Sequence, residues 1–264
     1  MVPRAEVDHL AAAMRAWQSN RVERPIPDPI GQTFSKALRE FRVATEAELS
    51  ADRQRQENAE RRQREYQATL LMRNSRVPEA RYGRATLDDL EFARANLSEP
   101  DFRRYALACD KLRQAIAQPC MLVLRGSYGT GKTYLGCATV LEACRQLVRA
   151  RYGTTFDFLL ELKSCFGQEG KTERDIFDAW MAQKVVALDE FELKSETPWA
   201  TATITNLIGK RDAHQLTTIL ITNKTREELE GYLGPRLADR LHHGGGVLNL
   251  DWQSFRGRQG AANA

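Results

Sequence analysis

The residues best suited to chemistry lie in one short stretch, GSYGTGKT, from Gly126 to Thr133. Gly126, Gly131, Lys132 and Thr133 satisfy G-x-x-x-x-G-K-[ST], and Gly129 adds a third glycine. A loop that wraps a phosphate through its backbone N–H groups has little room for side chains. A helix opening at Lys132 would point its positive end at the same anion. In that arrangement Lys132 faces the β- and γ-phosphates of a nucleotide, and the Thr133 hydroxyl serves Mg²⁺. Ser127, Tyr128 and Thr130 contribute their backbone N–H groups. A short apolar strand, Met121–Leu124, precedes the loop, which is the context that separates a phosphate loop from a chance glycine-rich turn.

Two further strand ends carry polar side chains. In KVVALDEFEL the apolar Val185–Leu188 ends at Asp189 and Glu190. Asp189 can hold Mg²⁺ through water, and Glu190 can orient and polarise an attacking water. In TTILITN the strand ends at Thr222 and Asn223, whose amide can bond a γ-phosphate or the attacking water, or simply begin a turn. Farther on, LGPRLADRLHH places Arg236 and Arg240 four residues apart, on one face of a helix. Phosphoryl transfer builds negative charge, and a guanidinium from a neighbouring subunit can neutralise it. Two solvated arginines on an amphipathic helix are the competing reading.

Elements must bring these groups together, and the pattern from Tyr82 onward alternates helix with strand. Ser98 caps a helix with Pro100 near its start and Phe102, Tyr105, Cys109, Leu112 and Ile116 on its inner face. A helix follows the loop from Lys132 to about Arg145. Leu147–Gly153 reads as a strand. Thr154 or Thr155 then caps a helix carrying Phe156, Leu159 and Leu160, although Phe156–Leu160 also fits a strand. A helix around Ala200–Ala213 separates the strands Val185–Leu188 and Thr218–Thr222. Thr225 and Glu228 form a capping box, Pro235 opens another helix through His242, and Val247–Leu250 is a last strand. Strands separated by helices imply a parallel sheet covered on both faces.

The region before Asn74–Pro78 differs. Val7, Leu10, Met14 and Trp17 share one helical face; Pro25, Pro27 and Pro29 interrupt the chain; Phe34, Leu38 and Phe41 mark a second helix with Thr33 as its N-cap. From Glu46 to about Gln67 the chain is helix-forming and charged, with no apolar stripe. The expected division is a helical N-terminal domain over 1–75 and an α/β ATPase domain over 76–264.

Composition limits the alternatives. The chain has 264 residues and a formal charge of +4, a mild excess that permits nucleic acid without demanding it. Cys109, Cys120, Cys137, Cys144 and Cys165 include no CxxC pair, which fits reduced thiols in a reducing cytoplasm. The start lacks a signal-peptide pattern, and no apolar run approaches the ~20 residues that span a bilayer, so no membrane role is expected.

Together these motifs resemble AAA+ ATPases, and within them the bacterial replicative helicase loaders of the DnaC type. The resemblance runs from LLMRNSRVPEARYGRATLDDLEF through GSYGTGKT, VVALDE and ITNKTREELEGYLGPRLADRL to LDWQSFRGR. It implies an AAA+ P-loop core, a parallel sheet flanked by helices, preceded by a small α-helical domain. It implies ATP and Mg²⁺ as cofactors, Asn223 as sensor I, Arg240 as an arginine finger with Arg236 beside it, and Arg256 as a sensor II candidate that contacts the nucleotide. Arg211 also sits where this family often carries an arginine. The implied partners are a hexameric replicative DNA helicase, single-stranded DNA, and further copies of the chain assembled on the helicase. Trp17 and its neighbours would grip the helicase. Phe166 lies where the loaders place an aromatic for single-stranded DNA, and equally suits a core position at a helix end. A second family with a similar core, the IstB-like transposition ATPases, shares an RL-HH stretch like Arg240–His243 and works on duplex DNA with a transposase. A scaffold with a vestigial pocket is a third reading, opposed by intact Lys132, Asp189 and Glu190.

Overall fold

A computed structural model describes residues 28–165, 170, 172–191, 197–244 and 246–256. Trp17 and Phe166, with the face Val7–Leu10–Met14, lie outside these residues, and the side chains of Phe34, Leu38, Phe41, Arg236 and Arg240 lie outside the described side chains. The chain divides into two compact units, 1–60 and 61–264.

Helix α1 runs Asp28–Asn74 without interruption. Thr33, expected as an N-cap, is therefore inside the helix, which starts upstream at Asp28, and the helix-forming run after Phe41 continues it. The charged middle of α1 is exposed, as its lack of an apolar stripe requires. Among its described side chains, apolar residues meet a core near the end of the helix: Ala68 is buried, and Leu71 and Met72 pack against the core of the second unit.

Within the second unit follow α2 (Glu79–Tyr82), α3 (Leu90–Asn96), α4 (Glu99–Ala117), β1 (Met121–Arg125), α5 (Lys132–Arg145), β2 (Ala150–Thr154), α6 (Thr155–Lys163), α7 (Glu173–Met181), β3 (Val185–Asp189), α8 (Pro198–Ala213), β4 (Thr217–Thr222), α9 (Arg226–Gly244) and β5 (Gly246–Asn249). The strands form one parallel sheet in the order β2-β3-β4-β1-β5. The register sets the strand ends level: Arg125 pairs with Thr222 and Asn249, and Thr154 with Asp189.

Alternation along the strands builds two cores. Leu122, Leu124, Ala187, Ile219 and Ile221 pack with α4 and α5 on one face. Met121, Val123, Val186, Leu188 and Leu220 pack with α6, α7, α8 and α9 on the other. The expected inner face of α4 is buried throughout, and Ser98 accepts from the Asp101 N–H as its cap.

Local differences have local causes. β2 begins at Ala150 rather than Leu147, because Leu147 has φ +61°, outside strand geometry. Thr154 caps α6 in a full capping box with Asp157, which decides between strand and helix over Phe156–Leu160. Phe158, Leu159 and Leu162 form the buried side of α6, and Phe156 and Leu160 are exposed. Helix α7 went unread in the sequence, yet Thr172 and Asp175 form its capping box and Ile176 and Trp180 its buried face. Helix α9 contains a non-helical residue, Gly234 (φ +74°), immediately before Pro235, so the two helical segments expected here meet at a kink.

Candidate nucleotide site

A cleft of about 880 Å³ opens at the C-terminal ends of the strands, where parallel sheets place ligands. Its floor is the phosphate loop between β1 and α5. The loop glycines are forced by their surroundings. Gly126 has φ +153°, and a Cβ there would lie 2.3 Å from the Leu250 carbonyl oxygen. Gly129 has φ +79°, and a Cβ there would lie 2.0 Å from Ser254 Oγ. The third glycine, superfluous to the motif, is favoured by its left-handed φ and by the chain packed behind it. Lys132 is buried, and its Nζ donates to the carbonyls of Gly126 at 2.8 Å and Ser127 at 2.7 Å. The ammonium is held within the loop, where phosphate oxygens can replace or join those carbonyls. Ser127 and Tyr128 are exposed on the loop's outer turn.

The register of β3 against its neighbours brings Asp189 to Thr133. Thr133 Oγ1 donates to Asp189 Oδ2 at 2.8 Å, and Tyr152 OH donates to the same oxygen at 2.9 Å. Glu190 N donates to Asp189 Oδ1 at 2.7 Å, so both carboxylate oxygens are oriented. Burial, with Asp189 alongside, pushes the Tyr152 phenol far above its ordinary pKa, which keeps it a donor. Glu190 itself adopts φ +52°, a left-handed conformation that non-glycine residues seldom take. Thr155 Oγ1 pins it by donating to its carbonyl at 2.8 Å. Glu190 is exposed and lines the cleft, as does half-buried Asn223 at the end of β4.

A hydroxyl and a carboxylate 2.8 Å apart at the mouth of a phosphate loop are hard oxygen donors suited to Mg²⁺. The glycine cradle and the buried lysine suit a triphosphate. The residues present therefore fit both cofactors.

The far wall is aromatic. Phe92 and Phe255 approach at 5.5 Å between ring centroids, Tyr105 and Phe255 at 6.5 Å, and Tyr82 lies beside them. Asp89 faces the cleft and accepts from Tyr134 OH at 3.3 Å. Arg81 and Arg256 reach the rim. Of the expected residues, the structure gathers Tyr128, Gly129, Gly131, Lys132, Thr133, Asp189, Glu190, Asn223 and Arg256 around one cleft, with Gly126, Ser127 and Thr130 in the loop beneath. Arg236 and Arg240 fall on α9 after its kink.

Arg211 lies elsewhere. It is fully buried, and its guanidinium donates to Thr218 Oγ1, the carbonyls of Trp180 and Gln183, and the Thr217 carbonyl. These groups lie at the starts of β3 and β4 and the end of α7, opposite the cleft. Burial pulls its pKa down to about 9, so it is a cation at neutral pH, held by carbonyls at a helix C-terminus.

Sequence reasoning missed Tyr152, Thr155, Tyr82, Phe92 and Phe255. Phe92 and Phe255 stood inside the stretches LDDLEF and DWQSFRGR that carried the resemblance. Tyr152 was recognisable only as a polar-tipped aromatic in a strand of mixed polarity.

Comparison with known proteins agrees with this geometry. Residues 43–263 match the family described as IstB-like ATP binding protein. The chain is 22% identical over 169 residues to the replicative helicase loader DnaC of Escherichia coli K12, covering 60% of this chain and 69% of that protein. It is 24% identical over 242 residues to the uncharacterized protein YdaV of the same organism, covering 89% and 92%. Among solved structures, that of the DnaC helicase loader superposes with a TM-score of 0.52 at 22% identity, covering 64% of this chain and 98% of that one. A DNA replication initiation factor superposes with a TM-score of 0.53 at 19% identity, and the aligned part is half of its length. Among the described residues no helix is long and apolar enough to cross a membrane. The chain belongs to the IstB-like ATP binding protein family and resembles AAA+ ATPases of the DnaC type.

Proposed function

We propose that this chain hydrolyses ATP with Mg²⁺ in the cytoplasm and uses the cycle as a switch to load a replicative DNA helicase onto single-stranded DNA. The observation that carries hydrolysis is the pairing of Thr133 with Asp189 beside a constrained Glu190, at the mouth of the phosphate loop. Lys132 faces the β- and γ-phosphates. Thr133 and Asp189 hold Mg²⁺, which neutralises phosphate charge when bound. Glu190 orients the attacking water, and Asn223 bonds that water or the γ-phosphate. Arg240, with Arg236 beside it, acts on the nucleotide of a neighbouring copy, and Arg256 on that of its own chain.

The loader role is supported by the similarity to a replicative helicase loader across 169 residues. In this reading residues 1–75 grip the hexameric helicase through Trp17, the ATPase domain over 76–264 binds single-stranded DNA with Phe166 stacking on a base, and copies associate on the helicase. The family match favours a second reading, a transposition ATPase acting on duplex DNA with a transposase. Co-elution of the full chain with a hexameric replicative helicase, strengthened by ATP in the wild type and unresponsive to ATP in Lys132→Ala, is the expected result. No association with helicase, together with ATP-dependent filaments on duplex DNA, would instead establish the second reading.

A further inference from the structure

The C-terminal segment Leu250–Arg256 packs against the phosphate loop along most of its length. Leu250 N donates to Arg125 O at 2.7 Å, the last carbonyl before the loop. Phe255 N donates to Gly129 O at 2.8 Å. Trp252 Nε1 donates to Thr130 O at 3.1 Å, across 122 positions of sequence. Each loop glycine touches this segment: Gly126 meets Leu250, Gly129 meets Ser254, and a Cβ on Gly131 would lie 3.5 Å from the Phe255 ring.

Peptide planarity gives these bonds a consequence. In a trans peptide the C=O and the following N–H point in opposite directions. Drawing the Gly129 carbonyl toward Phe255 turns the Thr130 N–H away from the segment. Drawing the Thr130 carbonyl toward Trp252 does the same for the Gly131 N–H. Both donors thereby point away from the segment's N–H groups, free to bind a phosphate on the loop. Trp252 is itself fixed: it is buried, with Tyr105 at 5.9 Å between ring centroids and the Arg104 guanidinium 6.0 Å from its own. Its indole therefore reaches Thr130 from a rigid base on α4.

We infer that Trp252 is a positioning residue for nucleotide binding, holding the phosphate loop in the geometry that aims its N–H donors at the phosphates. This rests on the reading of the cleft as a nucleotide site and adds that the site includes the C-terminal segment.

The test compares the full wild-type chain with Trp252→Phe, which keeps an aromatic ring and loses the N–H. ATP and adenosine are titrated into each, with thermal melting as a check on folding. ATP affinity should fall by up to about tenfold in Trp252→Phe, the limit reached when the free loop relaxes fully and the energy of the lost hydrogen bond must be supplied by ATP binding to restore its geometry. Adenosine affinity should not change, because adenosine carries no phosphate. Equal ATP affinity of the two proteins, or a parallel loss for adenosine, overturns the inference. If the variant does not fold, the wild-type chain decides: the Trp252 indole N–H resonance should shift on adding ATP and stay fixed on adding adenosine, and an unmoved resonance at saturating ATP overturns it. ATP binding by the wild-type chain that survives Lys132→Ala unchanged would instead remove the nucleotide-site reading beneath it.

Discussion

Replacing Glu190 by glycine should make the protein more stable and far less active, and the structure sets both magnitudes. Glu190 holds φ +52° because its neighbours leave it no alternative. Its N–H is bound to Asp189, its carbonyl to Thr155, and the next residue's N–H to the Ile221 carbonyl at 3.0 Å. A left-handed conformation costs an L-residue ~1–2 kcal/mol, and glycine escapes it. Glycine loses more backbone entropy on folding, which returns about 0.5–1 kcal/mol of that gain. The Glu190 side chain is exposed, so little packing is lost. The net expectation is ~0.5–1 kcal/mol of added stability, or roughly 1–4 °C in Tm for a chain of this size. Glu190→Gln keeps the strain and should melt with the wild type. Both variants should bind ATP normally and hydrolyse it ~10²–10⁴-fold more slowly, as the carboxylate proposed to orient the attacking water is gone. Calorimetric melting and steady-state phosphate release read the two effects separately. A Glu190→Gly protein that melts below Glu190→Gln, or one that turns over ATP at the wild-type rate, refutes the reasoning.

Lys132→Ala should abolish tight ATP binding while the loop keeps its fold, which equilibrium binding of a labelled nucleotide can measure. Arg211→Ala should leave ATP affinity intact but cost about 3 kcal/mol or more, because three carbonyls and a hydroxyl lose their donor; the melt should fall by roughly 6–12 °C. Mixing Arg240→Ala with Lys132→Ala protein should restore part of the DNA- or helicase-stimulated hydrolysis that each lacks alone, and full activity of Arg240→Ala by itself would retire the finger. Burial raises the thiols of Cys109 and Cys144 to about 11 and that of Cys137 higher still. Since the thiolate is the reactive form, these three should resist alkylation at pH 8 in the folded chain and react on unfolding, as peptide mass spectrometry would show. The same shifts mean that stability is retained below pH 9 and declines as pH rises toward 11, where the unfolded state releases thiol protons first.

The sequence by itself determined the elements and the pattern of the phosphate site. GSYGTGKT after an apolar strand, the caps at Ser98 and Thr225, and the acids ending β3 are all local signals, written within a few residues of where they act. Helix α7 was missed although Thr172 and Asp175 cap it, since its buried face is only Ile176 and Trp180. The bounds of β2 were misjudged because the positive φ of Leu147 leaves no trace in residue type. Side-chain partnerships were decided only by the tertiary structure. Tyr152 meets Asp189 because β2 lies beside β3 in one particular register. Phe92, Tyr105 and Phe255 form one wall although they come from α3, α4 and the C-terminal segment. Arg211, which resemblance placed among the family's arginines, became a buried pin because the packing of α8 against β4 and α7 surrounded it with carbonyls. The reason is physical: a helix cap or a phosphate loop is closed by backbone groups a few residues away, whereas Trp252 acquires its role from Thr130 only when β5 pairs with β1 and brings the C-terminal segment beneath the loop.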